Sequence, residues 1–208
     1  KHPQVNIFHL CAQQNLGKDI KYFDKRITKK LPRLTSLKKV DWSKADLLFL
    51  SLPNGEAQKL IKNLYKFKNL KFIDLSADFR VEDSKKYKEW YSINHSAKNL
   101  IKNSIYSIPE FTKEKIKNYR IIANPGCYPT SIQLVLLPLI RKSLINNNNI
   151  TIDSKSGYSG AGKNFQAKFF HKNFYDSIFA YGIEKHRHMS ELDQEFKMYS
   201  KGSIKYIV

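Results

Sequence analysis

Cysteine is nearly missing from this sequence: two residues in 208, Cys11 and Cys127. So small a number excludes a disulfide framework and fits a reducing compartment, with the cytoplasm as the expected location. Acidic residues are also short, 18 against 37 basic ones, which leaves a formal charge of +19. A basic chain is a candidate for nucleic acid, because neutralising phosphates drives that binding. Arginine, however, is scarce in its turn. Only six of the basic residues are Arg, and the lysines are scattered over nearly every segment instead of forming a stripe. Arg is the residue suited to phosphate forks and base edges, so no nucleic-acid partner is expected. No apolar run approaches the ~20 residues of a membrane-spanning helix, so no membrane partner is expected either. The opening Lys1-His2-Pro3 carries no secretory pattern. There is no initiating Met, and Ile204 to Val208 reads as a strand just beginning; both ends are read as cuts in a longer protein.

What is present alternates between strand and helix patterns. Val5 to Leu10 is a strand candidate, and the apolar Cys11 beside it reads as core. Asp46 to Leu52 is a continuous apolar run of the kind buried on both faces of a parallel sheet. It stops at Pro53-Asn54-Gly55, a turn signal. Glu56 to Lys66 then places Ala57, Leu60, Ile61 and Leu64 at helical spacing. Lys71 to Leu75 and Arg120 to Ala123 are further strands. Strand, turn, helix, strand is the pattern of an open α/β fold, in which ligands sit beyond the carboxyl ends of the strands. After Cys127 an apolar helix runs from Tyr128 to Leu144, with Pro129 in its first turn and Pro138 predicting a kink or break. Asn146 to Asn149 is a polar linker and a candidate boundary. A strand (Ile150 to Asp153), a Gly-rich loop and a helix (Met189 to Tyr199) follow.

Three constellations could carry chemistry. In Ala123-Asn124-Pro125-Gly126-Cys127-Tyr128-Pro129-Thr130-Ser131 the second cysteine stands at a strand-to-helix turn. There its sulfur faces free N–H groups and the positive end of a helix dipole, which favour a thiolate and could hold an oxyanion. The other reading is a small buried hydrophobe. Glu184 to Glu191 sets His186, Arg187, His188 and Glu191 together: a proton carrier, a carboxylate-binding fork and an orienting acid. It reads equally as a solvated helix start. A zinc site is disfavoured, because Cys127 and two histidines lack short-spaced ligand pairs, and no metal is expected. Ser156 to Lys163 places three glycines in six residues, allowing close backbone approach to a ligand or merely a flexible hairpin. Its spacing is not that of a phosphate-binding Walker loop.

Taken together, LPNG, IDLSADFR, YKEWY, YSIPEF, ANPGCYPTS, DSKSGYSGAGK and HRHMSEL resemble N-acetyl-gamma-glutamyl-phosphate reductase. That is an NADP-dependent family of arginine biosynthesis, related to aspartate-semialdehyde dehydrogenase. The resemblance spans roughly Val5 to the C-terminus. It implies an α/β fold with a Rossmann-like nucleotide-binding domain and an α+β substrate and dimerisation domain of the semialdehyde-dehydrogenase type. Residues 1–125 would be the NADP-binding part without its first strand and Gly-rich turn, and 126–208 the start of the substrate domain. It also implies a homo-oligomer acting on a small acyl phosphate.

The implied chemistry is a two-step acyl reduction. Cys127 attacks the acyl phosphate and expels phosphate, and NADPH reduces the resulting thioester. His186 activates the thiol and later protonates the departing sulfur. Asn124 assists the thioester carbonyl, and Arg187, His188 and Glu191 hold or orient substrate. Arg80 meets the phosphoryl group or is structural. Ser159, Gly160 and Gly162 lie against the nicotinamide half of the cofactor, and Pro53, Gly55 and Ser76 near its phosphates and ribose. After the first strand this chain has Gln13-Gln14 where the family has Ser-Arg. The absence of an acid there disfavours NAD, and Lys18 is the nearest candidate for the 2′-phosphate. The alternatives are an aspartate-semialdehyde-type dehydrogenase, a Cys/His hydrolase and a basic nucleic-acid-binding module.

Overall fold

Residues 2–157, 160, 177, 178, 180–182, 185–200 and 202–208 are described by the structure, a computed structural model. The apolar run after Asp46 forms β3 (Leu47–Leu50), following two short paired segments, β1 (Leu10–Cys11) and β2 (Leu34–Thr35). Pro53-Asn54-Gly55 turns the chain, Gly55 taking φ +90°, where a side chain would be strained. Helix α1 (Glu56–Leu64) then carries it back, burying Ala57, Ile61 and Leu64 at the expected spacing. Strand β4 (Lys71–Asp74) pairs parallel to β3, with Leu50 opposite Asp74. Helices α2 (Ser84–Tyr91) and α3 (Lys98–Ile101) precede β5 (Ser104–Tyr106), and α4 (Pro109–Ile116) precedes β6 (Ile121–Ala123). The four longer strands form one parallel sheet in the order β3-β4-β6-β5. Its core joins Leu50, Phe72 and Ile121 of the strands to Ala57 and Ile61 of α1.

Beyond the sheet, α5 (Cys127–Arg141) packs on α6 (Met189–Tyr199) through Ile132, Leu137, Ile140, Leu192 and Phe196. Strands β7 (Ile150–Thr151) and β8 (Tyr206–Ile207) pair parallel beside them.

Four expectations from sequence need correction. Only Leu10 and Cys11 of the first strand region pair, and Val5, Ile7 and Phe8 stay exposed, because no neighbour covers them among the described residues. Cys11 is exposed as well, not core. Leu50 of β3 is buried, but Leu47 and Phe49 on its other face stay exposed, because no element covers them among the described residues. Helix α5 runs through Pro138, so of the kink or break expected there the break does not occur. The proline withholds one N–H from the carbonyl of Leu134, an exposed residue whose carbonyl can turn to water.

The end of α1 is closed from a distance. Arg120 donates to the carbonyls of Tyr65, Phe67 and Leu70, and its guanidinium lies 4.1 Å from the Tyr65 ring centre. Arg120→Ala leaves three carbonyls without that donor and should lower stability by about 2–3 kcal/mol in urea unfolding. Arg120→Lys, a point charge without the fork, should recover only part of it.

Candidate active site

The carboxyl ends of β3, β4 and β6 lead into three turns: 51–55, 75–80 and 124–126. The middle turn is assembled from its own acids. Asp74 accepts the N–H of Ser76 at 2.9 Å, and the Ser76 hydroxyl accepts that of Asp78 at 3.2 Å. Asp78 then reaches α1, accepting the N–H groups of Gly55 (2.7 Å) and Gln58 (3.0 Å) and the hydroxyl of Tyr87 (2.7 Å). This carboxylate caps the helix from 20 residues away and satisfies donors that its own N-terminus leaves open. His95 supports it: its Nδ1 accepts from the Ala97 N–H, so Nε2–H donates to the Asp78 carbonyl at 2.8 Å.

Arg80 closes the same turn against the third. Its Nε donates to the Asn124 carbonyl at 2.7 Å, Nη2 to that of Leu75 at 3.0 Å, and Nη1 to Glu191 at 3.1 Å. Glu191 has no exposed surface. Its other oxygen takes the Tyr106 hydroxyl and the N–H of Gly126, both at 2.9 Å, and Gln133 donates to Tyr106 in turn. A carboxylate on α6 thus fixes the residue before Cys127.

Cys127 is exposed and opens α5, a 15-residue helix that no side chain caps. The N–H groups of Cys127 and Tyr128 have no acceptor among the described residues, and Pro129 has no N–H at all. Asn124 is exposed beside them. An open helix end of this kind favours negative charge on a sulfur or an oxyanion.

Both histidines of the 186–188 motif pack here. A Cβ built on Gly126 would stand 2.5 Å from His188 Nε2, so only glycine permits this approach. The His186 and His188 rings are 4.7 Å apart and edge toward Tyr128, at 5.7 and 6.1 Å. Tyr181 adds its ring 5.5 Å from His186. Burial, then His186, Arg80 and Arg187, push His188 down to about 4, so it is neutral at ordinary pH. Burial and Arg187 also lower His186. The His188 N–H donates to His186 Nδ1 at 3.2 Å, which places the neutral ring's proton on Nε2. Taking a proton at Nε2 requires the other tautomer, with that bond given up.

The structure therefore gathers Cys127, His186, His188, Asn124 and Gly126, with Arg187 exposed nearby and 5.7 Å from the Tyr91 ring. Others are engaged within the fold. Glu191 and Arg80 are buried, with both Glu191 oxygens accepting and each nitrogen of the Arg80 fork donating once. Ser76 is buried in its turn, and the Gly55 N–H is taken by Asp78. Pro53 remains exposed at the end of β3. Gly160 folds onto its own loop, its N–H bonded to the Gly157 carbonyl and its open side against Ser156. Ser159 and Gly162 lie outside the described residues. Sequence reasoning overlooked Asp78, Tyr106, Gln133 and Gln194. Asp78 sits inside the LSADFR stretch, where an acid between apolar neighbours was the available signal.

Two buried acids near this network titrate late. Burial raises Asp74 to about 6 and Glu195 to about 7. A carboxyl raised on folding adds stability that is fully present below its unfolded value, near 4, and lost as pH climbs through the folded value. Glu195→Gln should therefore gain on the wild type between pH 5 and pH 8, by up to about 3 kcal/mol, and Asp74→Asn should gain less. Thermal midpoints across that range test it; parallel curves for variant and wild type would refute it.

Among the described residues no three His, Cys, Asp or Glu side chains gather as a metal site, and no helix is long and apolar enough to cross a membrane. Residues 1–119 match the family "Semialdehyde dehydrogenase, NAD binding domain", and 127–207 match "Semialdehyde dehydrogenase, dimerisation domain". The chain is 44% identical over 194 residues to "Probable N-acetyl-gamma-glutamyl-phosphate reductase, chloroplastic" of Oryza sativa subsp. japonica, covering 93% of this chain and 46% of that protein. It is 40% identical to N-acetyl-gamma-glutamyl-phosphate reductase of Afipia carboxidovorans, covering 94% and 57%. It spans about half the length of these relatives. The crystal structure of aspartate semialdehyde dehydrogenase II from Vibrio cholerae, complexed with ASA, superposes with a TM-score of 0.52 at 16% identity, over 96% of this chain and 57% of that one. At that identity the likeness concerns the fold alone.

Proposed function

This chain belongs to the semialdehyde dehydrogenase family, and from that premise we propose that it carries the thiolate chemistry of an NADPH-dependent reduction of N-acetyl-gamma-glutamyl phosphate to N-acetylglutamate semialdehyde. One observation carries the reading. Cys127 stands exposed at the open N-terminus of α5, with His188 packed on Gly126 before it and both histidine rings edged toward Tyr128 after it.

Cys127 Sγ attacks the acyl carbonyl, the bond to the phosphate oxygen breaks, and phosphate leaves with the electron pair. The carbonyl oxygen, negative while the carbon is tetrahedral, lies within reach of the N–H groups of Cys127 and Tyr128 and of the Asn124 amide. His186 takes the thiol proton and returns it to the sulfur when the semialdehyde departs. His188 stays neutral and walls the pocket. Arg187 offers its fork to the substrate carboxylate.

A reduced nicotinamide, when bound, supplies the hydride. The residues fit such a group along part of its length. Pro53 is exposed at the end of β3 and Leu75 at the end of β4. The Gly55 and Gln58 N–H groups at the start of α1 are taken by Asp78, so those two donors are not offered to the phosphates. The two-domain division at 125/126, a homo-oligomer built through the second domain, and a cytoplasmic location belong to the same reading. The dimerisation-domain match and two free cysteines support the last two.

The assay runs the reaction backwards: N-acetylglutamate semialdehyde, phosphate and NADP, followed by reduced-nicotinamide absorbance. Formation that requires phosphate supports the proposal. Equal rates without phosphate, or a preference for aspartate semialdehyde, would overturn it.

A further inference from the structure

We infer that Gln194 is a positioning residue for the nucleophile, acting through the backbone of residues 80–82. Its amide makes a two-way clasp: Oε1 accepts the Glu82 N–H at 2.8 Å, and Nε2 donates to the Arg80 carbonyl at 3.1 Å. A carbonyl at one residue and an N–H two further on are what a neighbouring strand would bind. Residues 80–82 belong to no strand, and Gln194 takes the place of one. Between the two bonds Val81 is buried against Tyr87 and Tyr91, so the segment is held from both sides.

What the clasp holds is Arg80. Its side chain leaves that backbone to reach the Asn124 carbonyl and Glu191, and Glu191 holds the Gly126 N–H. Gln194 and Glu191 lie one turn apart on α6 and grip opposite ends of one connection: backbone 80–82, Arg80 guanidinium, turn 124–126, Cys127. Two residues before Arg80, Asp78 fastens the same segment to the 53–55 turn. A loosened clasp lets the guanidinium slip from the Asn124 carbonyl and frees the turn that sets the sulfur at the helix end. Gln194 makes no hydrogen bond to Cys127; its path to the sulfur runs through Arg80.

The inference rests on Cys127 being the nucleophile, and the test separates the two. Cys11 is remote in sequence and, though burial raises its thiol, serves as an internal control whose change between wild type and variant is read. Iodoacetamide alkylation of both cysteines at neutral pH is followed by peptide mass spectrometry, in the wild type and in Gln194→Met. That variant keeps the length and bulk and removes both bonds of the clasp, together with the longer one that Nε2 donates to Glu195 Oε1 at 3.3 Å. Its thermal midpoint is recorded alongside.

In the wild type Cys127 should be alkylated several times faster than Cys11 at neutral pH. In the variant its alkylation should be about threefold slower, while Cys11 is unmoved. An unchanged Cys127 rate in the variant overturns the inference. A shift of both cysteines alike indicates general loosening and overturns it too. Should Cys127 match Cys11 already in the wild type, it is the nucleophile reading that fails.

Discussion

Cys127→Ser is expected to lower phosphate-dependent turnover of N-acetylglutamate semialdehyde by about a thousandfold or more, while the thermal midpoint stays near that of the wild type. The reason is chemical. A serine hydroxyl is far less acidic than a thiol, so the field of one open helix end and a single imidazole cannot ionise it usefully. A thioester is also much more readily reduced than an oxygen ester. The change is nearly isosteric at an exposed position, so packing is hardly disturbed. Loss of turnover with retained folding assigns the effect to the sulfur. Turnover within tenfold of the wild type would remove Cys127 from the mechanism and leave the helix terminus without a role.

Replacing Glu191 should act the opposite way, through the fold first. Glu191→Ala strips a partner from Arg80, from Tyr106 and from the Gly126 N–H, all in a region closed to water. Breaking one side of a buried pair costs about 3–5 kcal/mol, since the remaining charge has nowhere to be solvated. Glu191→Gln should lie between, because an amide can satisfy one neighbour only by turning its NH₂ toward another donor. The double replacement Arg80→Met with Glu191→Leu should lose clearly less than Glu191→Ala, as no lone charge is left inside. Urea unfolding of the three variants decides it; a Glu191→Ala loss under 1 kcal/mol would show that the carboxylate is dispensable to the turn.

The contrast between these residues explains what could be read in advance. Cys127 and the 186–188 histidines were legible because turn punctuation and residue chemistry coincide in short stretches. Helix α6 was legible from its spacing and strand β4 from its apolar run. The hydrogen bonds that Glu191 and Arg80 make inside the fold were not. Sequence reports which groups can bind a substrate, whereas burial decides whether they are free to do so, and burial comes from contacts more than 100 positions apart. Strand β5 was missed because Ser104-Ile105-Tyr106 is too short to show a period. It exists because β6 supplies its hydrogen bonds. The first strand failed in the opposite direction. Its composition favours extension, but among the described residues too little of it is paired to hold that conformation.

The close seating of His188 on Gly126 has a further consequence, which concerns substitution. A methyl group at position 126 would meet the tip of the imidazole at 188 unless that ring moved, although 61 positions lie between them. Change at 126 is therefore felt at 188: alanine there displaces the ring that walls the nucleophile.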